Sequence, residues 1–239
     1  MEALIGAERA AGALDRARQL LDIGGPVVWI LLALAVFALG VVLAKLWQFA
    51  VSGLGDRRAA EDALALKRAG RMEDAQARAA RSRHPAARAL ALALEGERRR
   101  LPEARVREEA ARVAEDELEA LREWLRPLEV IAALSPLLGL FGTVLGMIDA
   151  FAALEAAGAR VDPAILSGGI WVALLTTAVG LAVAMPTVAA LAWLERRIER
   201  AERAVDSALA GAFAAQLDGS AADPSFAGQA HDGLRVHPA

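Results

Sequence analysis

GLFGTVLGMI, residues 139–148, lies inside an apolar stretch long enough to cross a bilayer, yet it carries Gly139, Gly142, Thr143 and Gly146 where leucines would serve. Their spacing of i, i+3, i+4, i+7 puts all four on one face of a helix. Further along, Gly169, Ala173, Thr176, Thr177, Gly180 and Ala184 follow nearly the same period. Lipid tails are as apolar as leucine, so a stripe of small residues gains nothing by facing them. It lets two backbones approach and hydroxyls bond across helices. Tight packing alone would account for the glycines; Thr143 and Thr177 add polar groups at depth.

The chain of 239 residues is 56% hydrophobic and 24% charged, with a mean hydropathy of +0.36, so charge and apolar surface must be segregated along it. Three runs hold no charge: Ile23–Ala44, Val130–Ile148 and Pro163–Leu194. Each approaches or exceeds the roughly 20 residues that cross a bilayer. The first begins too far into the chain for a cleavable signal and is expected to stay as an anchor. All five tryptophans, Trp29, Trp47, Trp124, Trp171 and Trp193, fall toward the ends of these runs, the interfacial position that amphipathic rings favour.

Seventeen Lys and Arg residues lie between Ala50 and Pro127, against three in residues 1–24 and one, Arg160, between the second and third runs. Arg196, Arg197, Arg200 and Arg203 then follow the third. By the positive-inside rule the long loop and the C-terminus are cytoplasmic and the N-terminus is outside. The predicted fold is an all-α integral membrane protein, its second and third transmembrane helices extended into the cytoplasm beside a helical loop domain. The divisions are an outer-side amphipathic segment (1–22), the first span (23–49), the cytoplasmic helical domain (50–127) and the second span (128–151). A short periplasmic link (152–162), the third span (163–194), a cytoplasmic helix (195–216) and a disordered tail (217–239) follow.

Within the loop, Ser52 and Asp56 are candidate caps, Gly70, His84-Pro85 and Leu101-Pro102 are natural breaks, and Glu103–Trp124 runs without Gly or Pro. One helix is expected to continue from Glu103 into the second span, bent at Pro127. Intermixed Arg and Glu read as a solvated, salt-bridged face, with signs too mixed for nucleic acid. Arg98–Arg100 is the one dense basic cluster and could meet anionic phospholipid.

LSPLLGLFGTVLGMIDAF (134–151) together with SGGIWVALLTTAVGLAVAMP (167–186) resembles the paired signature of the MotA/TolQ/ExbB proton-channel family. The layout of three spans and a large first cytoplasmic loop is similar to its ExbB and TolQ members. The resemblance implies a stator subunit of the inner membrane, pentameric around transmembrane helices of an ExbD/TolR-like single-span partner that supplies a membrane aspartate. It further implies gradient-driven work at the periplasm or outer membrane, through an effector similar to TonB or TolA. Carried over by position, Thr143, Thr177 and the adjacent Thr176 would line the proton pathway. Pro136 and Pro186 match the family's helix-bending prolines, while Gly139, Gly142, Gly146, Gly169, Ala173 and Gly180 serve packing.

One departure concerns the third span, where many relatives carry a glutamate in a GI-x-E-AL pattern and this chain reads Gly169-Ile170-Trp171-Val172-Ala173-Leu174. Intramembrane acids mark ion pathways, yet Lys45, Glu129 and Asp149 all lie near span ends. A partner must then supply the acid. Val172 keeps two alternatives open, a structural scaffold whose channel is inactive and a divergent motor such as one for gliding. An unrelated small transporter or receptor is a third. His84, His231 and His237 lie in loop or tail, no phosphate loop is present and there is no cysteine, so neither an enzyme, a cofactor nor a metal site is expected.

Overall fold

Ala, Leu, Glu and Arg, all good helix formers, dominate this chain, and every regular element among the described residues is a helix. The structure, a computed structural model, describes residues 2–56, 58–157 and 163–220. In chain order the helices are α1 (Glu2–Val51), α2 (Arg58–Arg68), α3 (Met72–Arg81), α4 (Pro85–Arg98), α5 (Glu103–Arg122), α6 (Leu125–Ala157) and α7 (Pro163–Ser220). Three stretches are long and apolar enough to cross a membrane: Gly24–Val51, Glu103–Ala156 and Leu166–Ala214. The chain is therefore an all-α membrane protein with three candidate spans. It divides into two compact units, Met1–Trp47 with Glu123–Arg196 and Gln48–Arg122 with Arg197–Ala239.

In the first unit, α1 kinks at Gly25, whose φ of 63° and ψ of −163° suit a residue without Cβ. Pro26 follows, and its missing N–H and bulky ring disfavour a continuous turn there. The segment before the kink is helical; which face it turns to the membrane lies outside the described side chains. Beyond the kink, Val27, Leu31, Ala38, Val41 and Lys45 are buried along one stripe. The five tryptophans are all exposed, as rings that meet a membrane interface require.

The single helix expected from Glu103 into the second span is two helices. α5 ends at Arg122 and α6 begins at Leu125, with Trp124 between them at a φ of 65°. Pro127 falls in the first turn of α6, where a helix has no partner for the missing N–H, so the proline is accommodated and the break falls upstream of it. α6 also runs to Ala157, past the boundary expected at 151, and α7 runs to Ser220, past the one at 216. Residues 158–162 of the link and 221–239 of the tail lie outside the described residues.

The second unit is built on small side chains. Ala59, Ala63, Ala75, Ala79, Ala86, Ala89, Ala110 and Ala208 are almost fully buried, so its helices approach closely. The α7 segment in this unit buries Ile198, Ala201, Val205, Ala208 and Ala212, a spacing of alternating three and four residues as in coiled-coil seams. It runs antiparallel to α5. Arg122 bonds Glu202 at 2.8 Å, and the Arg107 guanidinium lies 4.8 Å from the centre of the Phe213 ring. Lys67 of α2 ties the other helices in, with Nζ 2.7 Å from a Glu97 carboxylate oxygen and donating to the Ala212 carbonyl at 2.5 Å.

The predicted breaks at Gly70, His84-Pro85 and Leu101-Pro102 fall between helices. Ser52 bonds back to the Gln48 carbonyl at 2.7 Å, ending α1, while Asp56 gives its carboxylate to Arg78 at 3.0 and 3.2 Å. Those hydrogen bonds hold the Asp56 carboxyl below its ordinary value. Arg98 and Arg99 both bond Glu95, holding its carboxyl down at about 2, so the basic cluster is partly neutralised from within.

α4 ends in a Schellman motif: Leu101 N–H bonds the Gly96 carbonyl and Arg100 N–H the Glu97 carbonyl, each at 3.0 Å. Glycine usually fills the left-handed position, but here it is Arg100, at a φ of 57°. Arg100→Gly should relieve about 1–2 kcal/mol of left-handed strain against about 0.5–1 kcal/mol of added chain entropy. A modestly raised thermal midpoint is expected; an unchanged or lowered one would show that the arginine makes contacts worth the strain.

Candidate functional site

Along the first unit, α6 and α7 pack antiparallel, and their points of closest approach are places where a side chain is missing. A Cβ built on Gly180 would lie 2.6 Å from the Ser135 carbonyl oxygen and 3.0 Å from the Gly139 Cα. On Gly139 it would lie 3.0 Å from the Thr176 carbonyl oxygen, on Gly142 2.6 Å from the Thr176 Oγ1, and on Gly146 3.2 Å from the Ala173 Cβ. Gly169 meets Ala150 in the same way. The stripes predicted from period alone are thus the two faces of one interface, and Ala173 is buried in it with them.

Two hydroxyls of α7 converge on one carbonyl of α6. Thr177 Oγ1 donates to the Gly139 carbonyl at 3.1 Å, and Thr176 Oγ1 lies 3.3 Å from the same oxygen while donating at 2.7 Å to Ala173 of its own helix. Thr176 is only 2% exposed. It belongs to the helix contact, enclosed by Gly139 and Gly142. Thr177 is half-buried, and its bond to Gly139 makes it a clasp between the helices as well.

Thr143 sits at the margin of the interface. Its Oγ1 donates to the Leu140 carbonyl at 2.6 Å, which leaves the oxygen as an acceptor. It opens on a shallow groove of about 590 Å³ along α6, lined with Val144, Met147, Ile148, Phe151, Ala152 and Glu155. Because Gly142 meets Thr176 and Gly146 meets Ala173, Thr143 lies at the level of Thr176 and Thr177.

Both prolines sit inside unbroken helices, Pro136 in α6 and Pro186 in α7. A hydroxyl neighbours each: Ser135 bonds back to the Ile131 carbonyl and Thr187 to Val183, both at 2.7 Å. Each proline frees the carbonyl four residues earlier, Ala132 and Ala182, and the hydroxyls bond the neighbouring carbonyls rather than those. Ser135 is fully buried and was missed in the sequence; its place beside Pro136 was the available signal. Lys45 was placed near a span end, but it is 3% exposed, within electrostatic reach of Glu123. Glu129 and Asp149 are exposed, and Val172, where the resemblance puts a glutamate, is half-buried beside Ala173.

A closely apposed pair of apolar helices, with hydroxyls at one level along their contact, is the frame of the first unit of this all-α membrane protein. Residues 81–207 match the MotA/TolQ/ExbB proton channel family, more than half of the 239-residue sequence, and the chain belongs to that family. It is similar to biopolymer transport protein exbB1 of Vibrio cholerae, 37% identical over 106 residues, 42% of this chain and 46% of that protein. It is also similar to the Tol-Pal system protein TolQ of Haemophilus influenzae, 39% identical over 87 residues, 36% of this chain and 38% of that one. Biopolymer transport protein ExbB of Salmonella typhimurium is 44% identical over 61 residues, 26% of this chain and 25% of the relative. The chain thus spans less than half the length of the curated relatives it matches.

The contact geometry separates two glycines of α7. Gly168 has open space around a built Cβ, whereas Gly180 has the Ser135 carbonyl. Gly168→Ala should be neutral or stabilising by up to about 1 kcal/mol from helix propensity. Gly180→Ala should cost on the order of 1–3 kcal/mol through overpacking. Thermal unfolding in detergent checks both, and equal effects would refute the close contact.

Proposed function

We propose that this chain is the ring-forming subunit of a proton-driven inner-membrane motor, working with an ExbD/TolR-like single-span partner that supplies the membrane aspartate. The observation that carries the proposal is the α6/α7 pair itself: hydroxyls of Thr177 and Thr143 at one level, in spans whose acids, Glu129 and Asp149, lie near the ends. A threonine hydroxyl can pass or orient a proton but holds no charge near neutral pH. The titrating group must then come from another chain, as the resemblance to ExbB and TolQ also implies. In this reading the homo-oligomer is a pentamer set in phospholipid, and proton flow drives work at the periplasm or outer membrane through a TonB/TolA-like effector. The N-terminus is periplasmic, the C-terminus and the second unit are cytoplasmic, and the chain is not an enzyme.

Val172 favours a second reading, in which the same assembly is a scaffold with an inactive channel, or a divergent motor such as a gliding motor that manages without the third-span glutamate. The two differ in what Thr143 and Thr177 do. Thr143→Val and Thr177→Val, measured at equal complex abundance with the partner co-expressed, should each reduce the gradient-driven phenotype several-fold in the motor. Full activity in both would sink a role for the hydroxyls in the pathway and leave the scaffold. Since Thr177 also bonds Gly139, Thr177→Ser serves as its control and should retain activity. Val172→Glu asks whether an acid at that position raises, leaves or abolishes the phenotype, and a rise would mark the native chain as the impaired form.

A further inference from the structure

His84 closes the N-terminus of α4 in an unusual way for a buried imidazole. Its Nδ1 accepts the Ala86 N–H at 3.2 Å, and its own backbone N–H bonds the Ser82 Oγ at 3.2 Å. Both side chains are enclosed, His84 2% and Ser82 5% exposed. Pro85, at the first helical position, has no N–H to offer, so the Ala86 amide is the first donor of the helix. A ring nitrogen that accepts a hydrogen bond carries no proton, so the fold holds the neutral tautomer with its hydrogen on Nε2.

We propose that His84 is a proton-sensitive helix cap. On acidification of the solution around the second unit, a proton taken up at Nδ1 turns the acceptor into a donor, breaks the bond from Ala86 and loosens the first turn of α4. Histidine is the side chain whose ordinary titration, near pH 6.5, falls in the physiological range. The folded cap binds no proton at Nδ1, whereas an unfolded imidazole binds one below that pH. The contribution of the cap to stability is therefore present above about pH 6.5 and lost as pH falls.

The charges on the surrounding elements narrow the source of such a response. Asp56, in the link before α2, acts on the imidazole electrostatically. It is held by Arg78 of α3, which also bonds Asp62 of α2, and those bonds keep the Asp56 carboxyl low and ionised. Arg83 precedes the cap in the chain, and Arg88 of α4 pairs with Glu117 of α5. Glu117 is pushed upward by burial against the pull of Arg88, so it is the competing group that acidification could protonate.

Hydrogen exchange of the full chain in detergent, corrected for intrinsic rates, separates the two at pH 7.5 and 5.5. In the wild-type protein the peptide covering the start of α4 should lose protection about tenfold at the lower pH, the equivalent of one unit of pKa difference. His84→Asn keeps an acceptor oxygen at the cap but cannot titrate, and its protection should not change with pH; His84→Ser provides a second non-titrating cap. Glu117→Gln should respond as the wild type does. The proposal is overturned if both His84 variants lose protection as the wild type does, or if Glu117→Gln abolishes the response. The experiment is indifferent to whether the membrane unit conducts protons.

Discussion

Backbone contact between α6 and α7 is the constraint from which the rest of the membrane unit follows. Gly139 and Gly180 bring the two helices so near that a Cβ built on Gly180 has no room and one on Gly139 is crowded, and that nearness places the Gly139 carbonyl within reach of Thr177. In a bilayer, apolar side chains gain nothing by leaving lipid for one another, so close van der Waals contact and cross-helix hydrogen bonds must hold the pair. Larger residues at these points would separate the helices and strand the hydroxyls. Packing and polarity are thus one device.

The second unit meets a different constraint with similar means. Its buried alanines each contribute little apolar area, so the helices are held by closeness and by a few well-placed polar contacts, among them those of Lys67. Its Nζ serves a carboxylate of α4 and a carbonyl of α7, so three helices share one cation. Surface pairs such as Arg112 with Glu109 and Asp116 are exposed and worth little each.

Much of this was legible in the sequence because it rests on local chemistry. Charge-free runs gave the three spans, Gly and Pro gave the breaks of the second unit, and the period of small residues gave the α6/α7 interface. What escaped depends on neighbours. Thr176 and Thr177 are adjacent, and a period that fits both leaves open which one points into the contact; only the position of Gly142 decides it. The break at Trp124 is carried by no glycine or proline, so nothing local announced it. Lys45 lies near a span end, and its burial depends on how α1 packs. Arg98 and Arg99 looked like a basic patch, although Glu95, three and four residues earlier, was already the visible partner.

A contact made of missing side chains also has a mechanical meaning. Sliding α6 by one residue along α7 would bring Leu138 or Leu140 to the place of Gly139, where even a methyl is crowded. The register therefore has no neighbouring minimum within easy reach, and the two helices behave as one double-stranded rod. Any displacement of the pair moves the rod whole. Displacement has to be taken up at the faces it turns outward, where Thr143 and the groove along α6 lie open.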